Sequence, residues 1–176
     1  IAHGANPSLR KSMPYDTLKD FTPVVLVAEL PTVLLVHTTV PANTIAELVA
    51  YAKQNPGKLN YSSSGFGSTN HLAAEVFKSE LGLDIVHVPY QGGGEAMTAL
   101  QGGHVHVYSG DASEASQQLK AGTKIRILAV MSDKRLPGDL AGVPTATEQG
   151  ADIDWPIIRG FYLGPKVSDA DYKVWV

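Results

Sequence analysis

Tyr61-Ser62-Ser63-Ser64-Gly65-Phe66-Gly67-Ser68-Thr69-Asn70-His71-Leu72 joins a strand-like run, Leu59 to Ser62, to a helix-like run, Leu72 to Phe77. Glycines let a backbone approach a ligand closely and adopt positive φ. A helix N-terminus presents free N–H groups and the positive end of the helix dipole. A Ser/Gly loop feeding such a terminus is therefore a seat for a small anion. A plain strand-to-helix connection would favour the same residues. The loop lacks the Gly-Lys-Ser/Thr ending of a phosphate loop, and no third glycine follows Gly65-Phe66-Gly67 at the dinucleotide spacing. These exclusions move the expected ligand toward a carboxylate.

The same alternation runs outward in both directions. Val33 to His37 is a short apolar run that reads as a buried strand. Thr44 with Glu47 forms a capping-box pattern, and Ile45, Leu48, Val49 and Ala52 recur at helical spacing until Asn55-Pro56-Gly57. Ser68 is placed to cap the helix after the loop, which stops near Gly82. Ile85 to Pro89 and Val105 to Ser109 read as strands, separated by the Gln91-Gly92-Gly93-Gly94 turn and a short helix through Met97 and Leu100. Asp111 and Glu114 open a helix that ends at Gly122. Ile125 to Met131 is a strongly apolar strand, Thr145 to Glu148 starts a short helix ending at Gly150, and Ile157 to Leu163 is the last strand. Ser168 opens a terminal helix. Strands alternating with helices indicate an α/β fold with a mainly parallel sheet. Ligands of such sheets sit at the carboxyl ends of strands where the order reverses. The Ser/Gly loop, Gln91 to Gly94 and Ser109 to Asp111 all follow strands and are expected to converge on one cleft.

Composition narrows the class. The chain has 176 residues, 44% hydrophobic and 18% charged, with net charge -3 and no lysine or arginine block. A packed core is expected, and a nucleic-acid footprint is not. Cysteine is absent, so neither disulfides nor thiolate chemistry enter. No apolar run approaches the roughly 20 residues of a membrane span, and no signal-peptide pattern occurs. The chain opens at Ile1 without an initiator Met, which reads as a processed or cut piece.

Catalytic and metal patterns are weak. His71 and Glu75 share a helix face, but the zinc pattern needs a second histidine at the latter position. His71 reads as a brace for the loop. His104 and His106 point to one face of a strand without further ligands. No Gly-x-Ser-x-Gly elbow occurs, and no serine has an evident histidine base. Asp111 can cap a helix or contact a ligand, and Arg159 can pair with an acid or clamp a carboxylate. Trp155, Phe161 and Tyr162 read as packing or interface residues. The leading candidates for ligand contact are Ser62, Ser64, Gly65, Gly67 and Ser68, followed by Asn70, Gln91 and Asp111; no cofactor or metal is expected.

The series as a whole resembles the tripartite tricarboxylate transporter substrate-binding receptors, also called Bug receptors. The matching pieces are Pro14-Tyr15-Asp16, Asp20-Phe21-Thr22-Pro23-Val24, Leu59 to Ser68 with His71-Leu72, Val88-Pro89-Tyr90-Gln91-Gly92-Gly93 and Leu119-Lys120-Ala121-Gly122. Val143-Pro144-Thr145 and Arg159-Gly160-Phe161-Tyr162 complete the set, which covers nearly the whole chain. The stretch from Arg159 to Pro165, with Val167-Ser168-Asp169, is most similar to the tricarboxylate-receptor branch.

The resemblance implies a monomeric periplasmic binding protein of the type II class. Two α/β lobes and a hinge would close on citrate or another small carboxylate and deliver it to membrane permease subunits. It implies that residues 1–38 belong to the first lobe, 39–127 form the second, and 128–176 return to the first, which is incomplete. Ser62 to Ser68 would then be the second lobe's ligand loop, the first lobe's loop lying before the matched part. An enzyme acting on a carboxylated small molecule and a structural domain without ligand are the competing readings.

Overall fold

The structure, a computed structural model, describes residues 2–175. Its organising element is strand β1 (Thr22–His37), sixteen residues long. Up to Pro31 this strand is largely solvent-facing and pairs antiparallel with β6 (Pro156–Leu163) in a two-stranded ribbon. From Thr32 onward the same strand enters a sheet between β4 (Val107–Asp111) and β5 (Ile125–Met131). Strands β2 (Asn60–Ser63) and β3 (Val86–Pro89) complete the order β3-β2-β4-β1-β5.

The sheet is mixed rather than mainly parallel. Strand β2 runs parallel to β3 and β4, whereas β1 is antiparallel to β4, β5 and β6. Strands β4 and β5 keep the parallel sense of a β–α–β unit, but β1 is inserted between them from the ribbon. The expected strand Val33 to His37 is the sheet-bound end of a longer element. Pro23 and Pro31 are both tolerated in a two-stranded ribbon whose outer edges carry no ladder.

Both sheet faces are covered, which is why β1 ends in an uninterrupted apolar run. Leu34 and Val36 point toward α2 (Ile45–Gln54) and α3 (Thr69–Leu81), in a core with Leu48, Tyr61, Phe77 and Met131. Val33 and Leu35 point the other way, toward α4 (Gly93–Gln101) and α5 (Ala112–Lys120), with Met97, Leu100 and Tyr108.

Several helix ends follow their sequence signals. Thr44 Oγ1 accepts from Glu47 N at 3.1 Å, while Glu47 Oε2 reaches back to Asn43 N at 2.6 Å. Gly82 closes α3 at φ 61 in the left-handed region. The expected helix after Thr145 is a single 3-10 turn, Thr147–Gln149, held by reciprocal Thr145 and Glu148 bonds. Helices α1 (Ala2–Leu9) and α6 (Asp169–Trp175) flank the chain; the sequence patterns marked only the latter. Trp155 packs partly against the core, whereas Phe161 and Tyr162 lie exposed on the ribbon.

Candidate functional site

Asn70 organises the Ser/Gly loop. It lies buried in the first turn of α3, and its Oδ1 accepts from Ser64 N at 3.2 Å and Ser64 Oγ at 2.8 Å. Ser68 Oγ lies 2.7 Å from the same oxygen and 2.6 Å from Gly65 O, so its one proton is shared between two acceptors. Ser68 also caps α3 by accepting from His71 N at 3.3 Å. Asn70 Nδ2 donates to the Tyr108 hydroxyl at 3.0 Å, joining the loop to β4.

The far side of the loop is braced by imidazoles. Gly67 N donates to His71 Nδ1 at 3.3 Å, the bracing role expected for His71. Ser63 Oγ lies 2.6 Å from His87 Nε2, and the His87 ring stacks on Tyr61 with Phe66 against its edge. The Tyr61 hydroxyl in turn donates to Glu75. Burial, reinforced by the neighbouring His71, lowers the His87 pKa. The sequence signalled no serine with a histidine base, and the Ser63–His87 pair corrects that point. It is nonetheless a brace: Ser63 is fully buried, and no group orients His87 Nδ1 among the described residues.

A cleft of about 360 Å³ opens at the carboxyl ends of β2 and β4. That volume falls within the roughly 300 to 1,000 Å³ of small-molecule sites. The chain passes from β2 to β3 on one side and from β3 to β4 on the other, so the cleft occupies the switch point of the sheet. Ser64, Thr69 and Asn70 form one wall. Thr32 and Ser109 contribute from the sheet and Gly93 from the start of α4, and Asp111, Glu114 and Arg159 complete the lining. A larger hollow of about 920 Å³ lies along the ribbon beside Val25, Val27 and Phe161, but it is walled mainly by apolar groups.

Donors without acceptors occur among the residues that line the cleft. The backbone N–H groups of Thr69 and Asn70 have no acceptor among the described residues, as expected for a helix start. Thr32 Oγ1 and Ser109 Oγ are buried, at 1% and 0% residue exposure, and neither has a hydrogen-bond partner among the described residues. Buried hydroxyls without partners are uncommon and costly.

Its charges are organised around Asp111. Burial alone would raise that carboxyl, but the Ser113 hydroxyl and amide and the Arg159 guanidinium outweigh it and hold the group below its ordinary value. Asp111 Oδ1 accepts from Ser113 N at 2.8 Å, and Oδ2 lies 3.4 Å from Arg159 Nη2. Glu114 is shifted upward by burial and by the neighbouring Asp111 charge. Burial pushes the Tyr108 hydroxyl up to about 12, so it stays protonated and can both accept from Asn70 and donate.

Of the residues expected to contact a ligand, Ser64, Asn70 and Asp111 line the cleft. Ser62 is buried and donates to Ala96 O at 3.2 Å, tying β2 to α4. Gly65 and Gly67 shape the loop at φ 109 and φ 74, and their amides are taken by Ser63 Oγ and His71 Nδ1. Ser68 serves as the cap. Gln91 is exposed, and its amide donates to Glu95 Oε2 at 3.1 Å. Thr32, Thr69, Tyr108, Ser109 and Glu114 line the cleft without having been singled out as contacts. The only local signal for Ser109 was its position at a strand end; Thr32 depends on pairing with Asp111 across β1 and β4.

A family model described as "Tripartite tricarboxylate transporter family receptor" matches residues 2–171. The chain belongs to this family. Its fold neighbours agree. Rpa4515 from R. palustris with adipate shares 34% identity at a TM-score of 0.82, covering 94% of this chain and 55% of that one. MatC from Rhodopseudomonas palustris with bound malate shares 29% at a TM-score of 0.87, covering 96% and 57%. The periplasmic binding protein BugD shares 29% at a TM-score of 0.88, covering 96% and 56%. This family member spans about half the length of the curated relatives it matches, 50% of the first and 40% and 42% of the next two. Among its described residues no helix is long and apolar enough to cross a membrane.

Proposed function

We propose that the chain is part of a periplasmic solute-binding receptor, not an enzyme, that captures a small organic carboxylate in the cleft at the ends of β2 and β4. The observation that carries this is the pair of buried, unpartnered hydroxyls, Thr32 Oγ1 and Ser109 Oγ, beside the free first-turn amides of α3. Carboxylate oxygens are the acceptors that such donors lack. Adipate and malate in similar receptors support the ligand class, and citrate belongs to the same class. The receptor passes its ligand to the permease subunits of a tripartite tricarboxylate transporter and acts as a monomer.

We also propose a two-lobed arrangement in which the five-stranded sheet and its helices form one lobe. The β1–β6 ribbon leads toward the other. The exchange of β1 partners between Pro31 and Thr32 supports a boundary there, with the return near Trp155. Ser62 to Ser68 acts by positioning Asn70 and Ser64 rather than by holding ligand along its whole length.

Calorimetric titration of the intact receptor with adipate, malate, succinate and citrate tests the function. One or more should bind and raise the melting temperature. A protein that binds no organic acid, or that converts one, overturns it.

A further inference from the structure

The Ser/Gly loop meets the cleft on one side and a pair of imidazoles on the other. The His71 and His87 ring centroids lie 4.2 Å apart, with Phe66 in edge contact with both and Tyr61 stacked against His87. Each ring serves the loop in its neutral form. His71 Nδ1 accepts the Gly67 N–H at 3.3 Å, so its one proton lies on Nε2. His87 Nε2 lies 2.6 Å from Ser63 Oγ, which accepts from Gly65 N and donates to Gly65 O, each at 3.2 Å. That arrangement is satisfied when His87 Nε2 donates, which leaves Nδ1 unprotonated, buried and without a partner among the described residues.

A proton added to either ring works against this arrangement. On His71 it turns the acceptor of the Gly67 N–H into a donor facing it. On His87 it lands on a buried nitrogen with no acceptor. Two charged rings at this separation repel, and His71 stands in the first turn of α3, at the positive end of that helix. Glu75, one turn beyond His71, favours the charged rings, but it accepts the Tyr61 hydroxyl and lies 3.6 Å from Lys78, which opposes it. Burial and Glu75 keep the Tyr61 hydroxyl itself protonated, and α1 brings only the apolar Leu9 to Gly67. Burial first, then the neighbouring His71, hold the His87 ring toward its neutral form.

The loop carries this state to the cleft. Ser68 follows Gly67, its Oγ lies 2.7 Å from Asn70 Oδ1, and Asn70 and Ser64 line the cleft. We propose that His71 is a positioning residue for ligand capture. Neutral, it holds the loop in the shape that places Ser64 and Asn70; protonated, it releases Gly67, so that the receptor binds less tightly in acid. This rests on the carboxylate-binding function proposed above and adds its dependence on the medium. The sign is distinctive, because a ring acting only as a nearby cation would tighten the binding of an anion in acid.

The experiment is calorimetric titration of the intact receptor at about pH 8 and about pH 5.5, the range over which histidines change charge. The probe is whichever of adipate, malate, succinate and citrate binds at the higher pH. The same titrations are made on His71→Leu, which has no acceptor, and His71→Asn, whose amide oxygen can take the Gly67 N–H without titrating. The acid's own titration is common to all three proteins and cancels in their ratio. At the higher pH, His71→Leu should bind about tenfold more weakly than wild type and His71→Asn should restore most of that loss. In acid, wild type should lose about tenfold relative to His71→Asn. Melting curves at both pH values separate loss of grip from loss of the fold, and wild type against His71→Asn decides the matter if the leucine variant does not fold. Equal pH dependence in those two, or a wild type that binds more tightly in acid, overturns the proposal and leaves the carboxylate receptor standing. If none of the acids binds the folded protein at the higher pH, the receptor reading fails and this inference with it.

Discussion

Asn70 Nδ2 donates to the Tyr108 hydroxyl at 3.0 Å, and this bond links the first turn of α3 to β4 across the mouth of the cleft. The other end of the same amide gathers Ser64 and Ser68. One buried side chain thus sets both the shape of the loop and the distance between two cleft walls.

Replacing Asn70 should therefore be costly. Asn70→Ala leaves the Tyr108 hydroxyl and the Ser64 amide and hydroxyl without this partner, Ser68 keeping Gly65 O, and should lower stability by about 2–4 kcal/mol. Asn70→Asp keeps the acceptor for Ser64 and Ser68 but adds a carboxylate facing the ligand. Urea denaturation should show a smaller loss for Asp than for Ala, while calorimetry shows organic-acid binding lost in both. Equal stability of Ala and wild type would remove Asn70 from this role.

Thr32 and Ser109 should behave in the opposite way. Their hydroxyls have no partners among the described residues, so Thr32→Val and Ser109→Ala remove unsatisfied groups and should be neutral or stabilising by up to about 1 kcal/mol. Ligand affinity should nevertheless fall about five- to tenfold in each. A variant that binds as tightly as wild type would show that its hydroxyl serves no ligand.

Stability should depend on pH through two carboxylates of opposite sign. Glu114 is raised, so the folded state holds a proton that the unfolded chain has released. Its contribution is full below the ordinary glutamate value of about 4.3 and is lost as pH rises through the raised value. Asp111 is lowered, so its contribution is present above about 3.9 and lost as pH falls through the lowered value. Denaturation midpoints of Glu114→Gln should improve on wild type as pH rises from about 4 toward 8. Those of Asp111→Asn should fall behind as pH rises from about 2 toward 5, and hold that gap at higher pH. Curves parallel to wild type would contradict the assignment.

Gly67 tests the backbone of the loop. It sits at φ 74, and a Cβ there would lie 3.3 Å from Leu9 Cδ1. Gly67→Val should cost about 1–3 kcal/mol through left-handed strain, read as a lower melting temperature. Gly67→Asn should cost less, because asparagine tolerates that conformation. If valine and asparagine are equally tolerated, strain does not govern the loop.

Legibility followed locality. Ile125–Met131 could be read at its observed limits because both its faces are buried, and the caps at Ser68 and Asp111 because a cap bonds within three residues. Strand Val105 to Ser109 is expected two residues before β4 begins at Val107, and the His106 backbone already bonds Asn60 O and His37 N there. Thr22 to Pro31 carries two prolines, and its partner β6 lies far along the chain. The cleft was legible where it follows a strand, at Ser64 and Asp111. Thr32 was not, because only the antiparallel register of β1 with β4 sets it opposite Asp111.

Strand β1 also makes the cleft a composite of sheet and ribbon sharing one piece of backbone. Thr32 sits immediately past the point where β1 leaves its ribbon partner, whereas Arg159 is carried by the ribbon itself, opposite Ala28. The cation that neutralises Asp111 is thus mounted on an arm, and the acid on the frame. A substitution at Pro31, where β1 changes partners, that shifts the ribbon retunes the charge of the cleft while every residue lining it stays the same.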